Sequence, residues 1–125
     1  MKFVNSFKEL EVYKLARLIS FEIFQISQNF PPDEKYSLTD QIRRSSRSVG
    51  AQLAEAWGKR KYEKHFISKL SDADSEQFET QHWIEVACEC KYINDSEKDR
   101  ILTNCESVGK MLQSMMDKAY LFCKS

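Results

Sequence analysis

The sequence predicts an all-α protein, an up-down-up-down four-helix bundle. Three observations carry that prediction. Only three glycines and two prolines interrupt 125 residues, so long helices can run unbroken. In four separate stretches the apolar residues recur at steps of three and four, the spacing of one helix face. Between the stretches lie short breaks of turn residues, Pro31-Pro32-Asp33, Gly58 and Asn94-Asp95-Ser96. The length suits one domain, 1–125, with a real core.

Residues 1–7 form a short lead, and the first helix is expected from about Lys8. Val12, Ala16, Ile19, Ile23, Ile26 and Phe30 step by four and three, a seam for packing on neighbouring helices. Leu10, Tyr13, Phe21 and Phe24 widen the apolar surface beyond one stripe. A lone bundle covers less than that, so part of this helix is expected to meet another subunit. Pro31 and Pro32 then end the helix, because neither can donate to the ladder and Phe30 is pushed out of the α region.

Ser37 is a candidate cap for the second helix, which runs to about Gly58. Leu38, Ile42, Ser45 or Ser46, Val49, Leu53 and Ala56 mark its inner face, small enough to let neighbouring backbones come close. Gly50 costs about 1 kcal/mol relative to alanine, and a close helix crossing would account for it. A second, polar stripe holds Gln41, Arg44, Ser48, Gln52 and Glu55, since eleven residues make about three turns at roughly 3.6 residues each.

The third helix is expected over about 62–92, with Tyr62, Phe66, Leu70, Ala73, Gln77, Ile84 and Ala87 inside and Phe78 and Trp83 at the flanks. Asp72, Asp74, Ser75, Glu76, Gln77 and Glu79 crowd its middle. Some of them must face the polar stripe of the second helix, and buried carboxylates persist only when paired. We therefore expect Arg44 to bond Glu55 or the third-helix acids, Glu79 among them, within a structural polar network of Gln41, Arg44, Ser48, Glu55 and Glu79. Asn94-Asp95-Ser96 is the turn and cap before the last helix, whose seam is Ile101, Cys105, Val108, Leu112, Met115, Ala119 and Phe122. A second row, Leu102, Gly109, Met116 and Cys123, broadens that face.

The net charge is zero, but it is segregated along the chain. Residues 43–64 hold seven bases (Arg43, Arg44, Arg47, Lys59, Arg60, Lys61, Lys64) against Glu55 and Glu63. Residues 72–89 hold six acids and no base. Two readings follow: oppositely charged helices pair along an antiparallel interface, or a basic surface is left over for a polyanion. Trp57 and Tyr62 interleave with the bases, and they either stack on unpaired bases of a nucleic acid or plug the corner between the second and third helices. The candidate contacts are Arg43, Arg47, Lys59, Arg60, Lys61 and Lys64.

The beginning of the chain has no apolar h-region, and no apolar run reaches about 18 residues, so a cytoplasmic protein without membrane contact is expected. Cys88, Cys90, Cys105 and Cys123 make no Cys-x-x-Cys pair and are expected as small buried apolar residues. Glu79-Thr80-Gln81-His82 is a Glu-x-x-His element, of which a di-iron or di-manganese bundle needs two together with two more glutamates. The other histidine, His65, has Tyr62 three residues before it, so a second element is missing. A di-metal enzyme using Glu79 and His82 remains the alternative function. No nucleophile arrangement or phosphate-cradling glycine loop stands out, and no cofactor is expected.

The run Phe30-Pro31-x-x-Glu34-x-Tyr36-x-Leu38-x-x-Gln41-x-Arg43-Arg44-x-x-x-Ser48-Val49, followed by Leu53-Ala54-Glu55-x-Trp57-Gly58-x-Arg60, resembles the bacterial four-helix bundle proteins called intervening-sequence proteins, encoded in insertions within 23S ribosomal RNA genes. Phe66-Ile67-x-Lys69-Leu70, Glu79-Thr80-Gln81-His82-Trp83 and Cys90-x-Tyr92-Ile93 are similar to one branch of that family. The resemblance implies a cyclic homopentamer without catalytic activity. It also implies kinship in fold with the accessory variability protein of diversity-generating retroelements, which binds a reverse transcriptase and nucleic acid through basic surfaces. The expected partners are therefore further copies of the chain, RNA or DNA, and a reverse transcriptase or other nucleic-acid enzyme. Gln41, Arg44, Ser48, Glu55 and Glu79 fall at family motif positions, whereas Gln52, Ala56 and Lys91 stand where the family often has Asn, Gly and Gly.

Overall fold

The computed structural model describes residues 4–123. Among them are four α-helices and no strand: α1 (Glu11–Ser27), α2 (Leu38–Gly58), α3 (Glu63–Glu89) and α4 (Asp95–Asp117), with 3-10 turns at Phe7–Glu9, Pro32–Glu34 and Ala119–Leu121. Residues 1–3 of the expected lead and the last two residues of the expected domain lie outside the described residues. Each helix packs on the next in sequence, most extensively α2 on α3, and α4 closes back onto α1. One cluster of buried side chains from all four helices forms the core. No helix among the described residues is long and apolar enough to cross a membrane.

The first helix starts later than Lys8. Ser6 caps a 3-10 turn by accepting from the Lys8 amide, Leu10 is extended, and α1 follows from Glu11. Val12, Ala16, Ile19 and Ile23 are buried as their spacing predicts. At the helix end Ser27 is buried while Ile26 is only half-buried, and Phe30 reaches the core from beyond the helix, tilted against Tyr92 at 5.4 Å. The connection that carries Phe30 is held to the end of α3 through Glu34, whose carboxylate accepts from Ser37 at 2.6 Å and Tyr92 at 2.9 Å. These two bonds, the one from Ser37 foremost, hold the Glu34 carboxyl below its usual range, and the same contact pushes the Tyr92 phenol up to about 12.

In α2 the whole inner row is buried, with both Ser45 and Ser46 in it. Interior hydroxyls need partners. Ser46 donates to the Arg43 carbonyl at 3.2 Å, and the Ser45 oxygen lies 3.0 Å from the Thr80 hydroxyl. Gly50 does not mark the tight crossing expected of it. A Cβ there would meet Tyr13 Cε1 at 3.6 Å, ordinary contact, whereas one at Gly109 would stand 3.0 Å from the Gln77 amide nitrogen. The space a side chain would need at Gly109 is thus taken by the Gln77 and Asp74 side chains of α3.

Phe66, Leu70, Ala73, Gln77, Ile84 and Ala87 line the inner side of α3, and Thr80 fills the step between Gln77 and Ile84. Tyr62 departs from the expectation: as the residue before the helix it points outward and is 56% exposed. The helix also ends three residues before 92. Lys91 adopts a left-handed φ of 64°, its amide bonds the Cys88 carbonyl at 3.0 Å, and the Tyr92 amide reaches back to the Ala87 carbonyl at 2.9 Å. That pair of bonds is a Schellman cap, which favours glycine at the left-handed position because a Cβ there crowds the carbonyl. Lys91→Gly is expected to raise stability by about 1 kcal/mol, read as a higher urea midpoint at unchanged slope.

Asn94 and Glu97 cap α4 reciprocally, each side chain accepting from the other's amide at 2.8 and 2.9 Å. Ile101, Cys105, Val108, Leu112 and Met115 are buried. The last two seam positions lie past the helix, yet Ala119 stays buried and Phe122 stacks on Phe66 at 5.8 Å. Of the four cysteines, all free, only Cys105 is fully buried, which pushes its thiol up to about 12. Cys88 and Cys123 are half-buried and Cys90 is exposed, because 90 is already the cap of α3 rather than a core position.

Candidate nucleic-acid interface and polar network

The six candidate cations fall into two groups. Arg43 and Arg47 lie in the middle of α2, and Lys59, Arg60, Lys61 and Lys64 lie at the α2–α3 corner. From Arg47 to Lys59 the rise along the helix axis is about 18 Å at roughly 1.5 Å per residue.

In the first group Arg43 is largely committed within the chain. Its Nε donates to the Ser27 hydroxyl at 2.7 Å and its guanidinium lies over the Phe24 ring, 4.9 Å from the centroid. Arg47, one turn on, is exposed, with its guanidinium over the same ring 5.7 Å from the centroid. Beside them, Lys35 and the exposed Tyr36 line a shallow groove along α2 with Arg43, Arg44, Arg47 and Ser48. Lys35 and Tyr36 escaped sequence reasoning as groove residues because they stand before the helix, outside its periodic pattern.

The corner group is different. Arg60 stacks on Trp57, 3.6 Å from the ring centroid, and donates to the Trp57 carbonyl at 2.9 Å, and this half-buried tryptophan packs against the core. Tyr62 does not. Its ring stands in solvent, 5.4 Å from His65 and 5.8 Å from the Lys61 ammonium. Lys59, Lys61 and Lys64 are exposed, and none makes an ion pair among the described residues. An exposed aromatic face among unpaired ammonium groups can stack a base while the lysines neutralise phosphates.

The polar network divides in two. Arg44, half exposed, bonds Glu79 and lies 3.4 Å from Glu76, both on α3. The same Glu79 oxygen accepts from the Trp83 indole at 3.0 Å. That indole bond first, and the Arg44 bond after it, hold the Glu79 carboxyl below its usual range despite partial burial, and Glu79 in turn raises Arg44. Glu55 does not reach Arg44. It pairs with Lys69 at 3.6 Å, and Lys69 also donates to Gln52 at 3.4 Å. Gln41 and Ser48 are half-buried and make no side-chain hydrogen bond among the described residues. Charge pairing therefore joins α2 to α3 at two levels, the Arg44 pairs beside the Ser45–Thr80 contact and the Glu55–Lys69 pair about three turns further along α2.

Glu79 and His82 do not meet the geometry of a bundle metal site, whose ligands project inward from facing helices. The inward positions of α3 here are Gln77, Thr80 and Ile84, while His82 is exposed beside Trp83, ring centroids 4.6 Å apart. No group of three or more His, Cys, Asp or Glu that could hold a metal occurs among the described residues.

Comparison with known proteins agrees with the fold. The chain is similar to a crystal structure of a protein of unknown function from the S23 ribosomal protein family of Bacteroides thetaiotaomicron, at 26% identity and a TM-score of 0.75, over 84% of this chain and 97% of that one. No curated protein matches it significantly. The sequence profile of the 23S rRNA-intervening sequence protein family matches residues 8–114. With that match spanning most of four helices, the chain belongs to the 23S rRNA-intervening sequence protein family.

Proposed function

We propose that the protein is a non-enzymatic, cytoplasmic accessory protein, a single up-down-up-down bundle assembled into a cyclic homopentamer, that holds single-stranded nucleic acid at its α2–α3 corners. The observation that carries this reading is Tyr62, 56% exposed and flanked by Lys59, Lys61 and Lys64 without acid partners among the described residues. An exposed aromatic face offers a stacking surface for an unpaired base, and here the neighbouring ammonium groups suit a phosphate chain. Arg60 supports the site from behind by fixing Trp57. A ring would repeat the corner around its axis, so weak contacts at each corner would add up through effective concentration. An enzyme acting on the same nucleic acid, such as a reverse transcriptase, is the protein partner this arrangement would serve.

Anisotropy of a labelled single-stranded RNA, titrated with protein across a salt series, tests the reading. The intact protein is expected to bind at about 50 mM salt and to weaken steeply as salt rises. Replacing Lys59, Lys61 and Lys64 together by Gln should reduce the magnitude of the log–log salt slope by about 2, at roughly 0.7 per lost phosphate contact. Tyr62→Ala should cost about 1–3 kcal/mol of affinity with the slope preserved, since stacking releases no counterions. Absence of binding at about 50 mM salt would overturn the nucleic-acid role.

A further inference from the structure

The order of packing, each helix on the next and α4 on α1, places the α1–α2 flank and the α3–α4 flank on opposite sides of the bundle. Both flanks carry large apolar side chains in solvent. On α1, Leu18 is 57% and Phe21 59% exposed, over a groove whose charged lining is Arg17, Arg47 and Lys14, the last paired with Glu11 at 3.4 Å beside the groove. On α3, Phe78 is 60% exposed, over a groove between α3 and α4 whose charged lining is Asp74 and Glu106 against Lys110. Glu85, seven residues on from Phe78, extends the acidic side of that groove along the same exposed face. The two flanks thus match in kind and oppose in sign.

We infer that each flank is the docking surface for the other on a second copy of this chain, Phe21 and Leu18 of one copy meeting the Phe78 groove of the next. Charge complementarity selects this occupant. Pairing the α1–α2 flank with itself would bring Lys14, Arg17 and Arg47 against their own like, which disfavours a two-fold dimer. Since the two surfaces differ, the contact is heterologous and leaves one free flank at each end, so it propagates head to tail until a ring closes. It accounts for the second apolar face of α1, which packing inside one chain leaves uncovered. It also gives Arg47 a role separate from the lysines of the α2–α3 corner. This inference rests on the assembly reading above and specifies which surfaces make it.

Two exposed positions provide the test. Phe21→Asp removes the apolar contact and sets an acid against the acidic flank, whereas Phe78→Lys sets a cation against the basic one. Neither side chain belongs to the core, and circular dichroism should show both variants folded. In sedimentation velocity the unaltered protein is expected to be a closed oligomer, and each variant alone a monomer. An equimolar mixture of the two should give a one-to-one dimer, because Phe21→Asp keeps an intact acidic flank and Phe78→Lys an intact basic one. A monomeric unaltered protein at tens of micromolar would remove the assembly reading and this inference together. An assembled protein whose Phe78→Lys variant stays assembled would leave assembly standing and overturn these surfaces, as would a mixture that remains monomeric.

Discussion

Phe66→Ala is expected to destabilise the fold by about 3–5 kcal/mol, a large part of the stability of a domain this size. Phe66 is the largest of the fully buried side chains, and it sits one turn inside the start of α3. Its ring also backs Phe122, which arrives from the 3-10 turn beyond α4 and stacks on it at 5.8 Å. Truncation removes the transfer free energy of the ring and leaves a cavity that the crossing of α3 with the end of the chain cannot collapse into freely. Phe122 would lose its stacking partner along with the core contact. Phe66→Leu, which keeps much of the volume, should cost less than about 1.5 kcal/mol. Urea denaturation followed by far-ultraviolet circular dichroism, at one fixed protein concentration, separates the two. A loss below about 1 kcal/mol for the alanine variant would mean that the site repacks and that Phe122 is not held by it.

Helix identity and facing were readable in the sequence because apolar spacing reports burial directly. The inner rows of α2 and α4 match residue for residue as far as Met115. Helix ends were less readable, because an end depends on the φ of single residues. Lys91 continues the pattern of α3 in composition yet takes a left-handed conformation and stops it. Tyr62 has the spacing of a core residue, but it precedes the helix, so the helical face it was assigned to does not exist at that position. The pairing of α2 with α3 by charge was visible as two facing polar stripes. Which acid meets which base was not, since that depends on the register between helices. Lys69, whose helix begins four residues after Lys59 and whose register on α2 is fixed by packing, takes Glu55 away from Arg44. The same limit applies to the basic surface. Arg43 and Arg47 look equivalent along the chain, and only the placement of Ser27 and Phe24 on α1 separates a committed guanidinium from an exposed one.

Arg44→Met is expected to cost about 2 kcal/mol near neutral pH, between the small value of an exposed pair and the larger penalty of breaking a buried one. The guanidinium is 50% exposed, but the carboxylates it serves are more enclosed, Glu76 at 18% and Glu79 at 32%. Removing the cation leaves two acids close together on one turn of α3 with only the Trp83 indole to answer Glu79. The pH dependence identifies the mechanism. Glu79 has a folded pKa lowered from 4.5, so between that folded value and the unfolded one the unfolded chain binds more protons, and stability rises with pH there. The stabilisation is fully present above about 4.5 and is lost as pH falls through the lowered folded value. The gap in unfolding free energy between the unaltered protein and Arg44→Met should therefore be constant from about pH 6 to 8 and narrow below pH 4.5. Glu79→Gln should track the unaltered protein in acid and fall below it at neutral pH, because an amide keeps the shape but not the charge-assisted bond. A gap for Arg44→Met that does not change with pH would assign its cost to the packing of the arginine stem, and the ion pair would then contribute nothing measurable to joining α2 and α3.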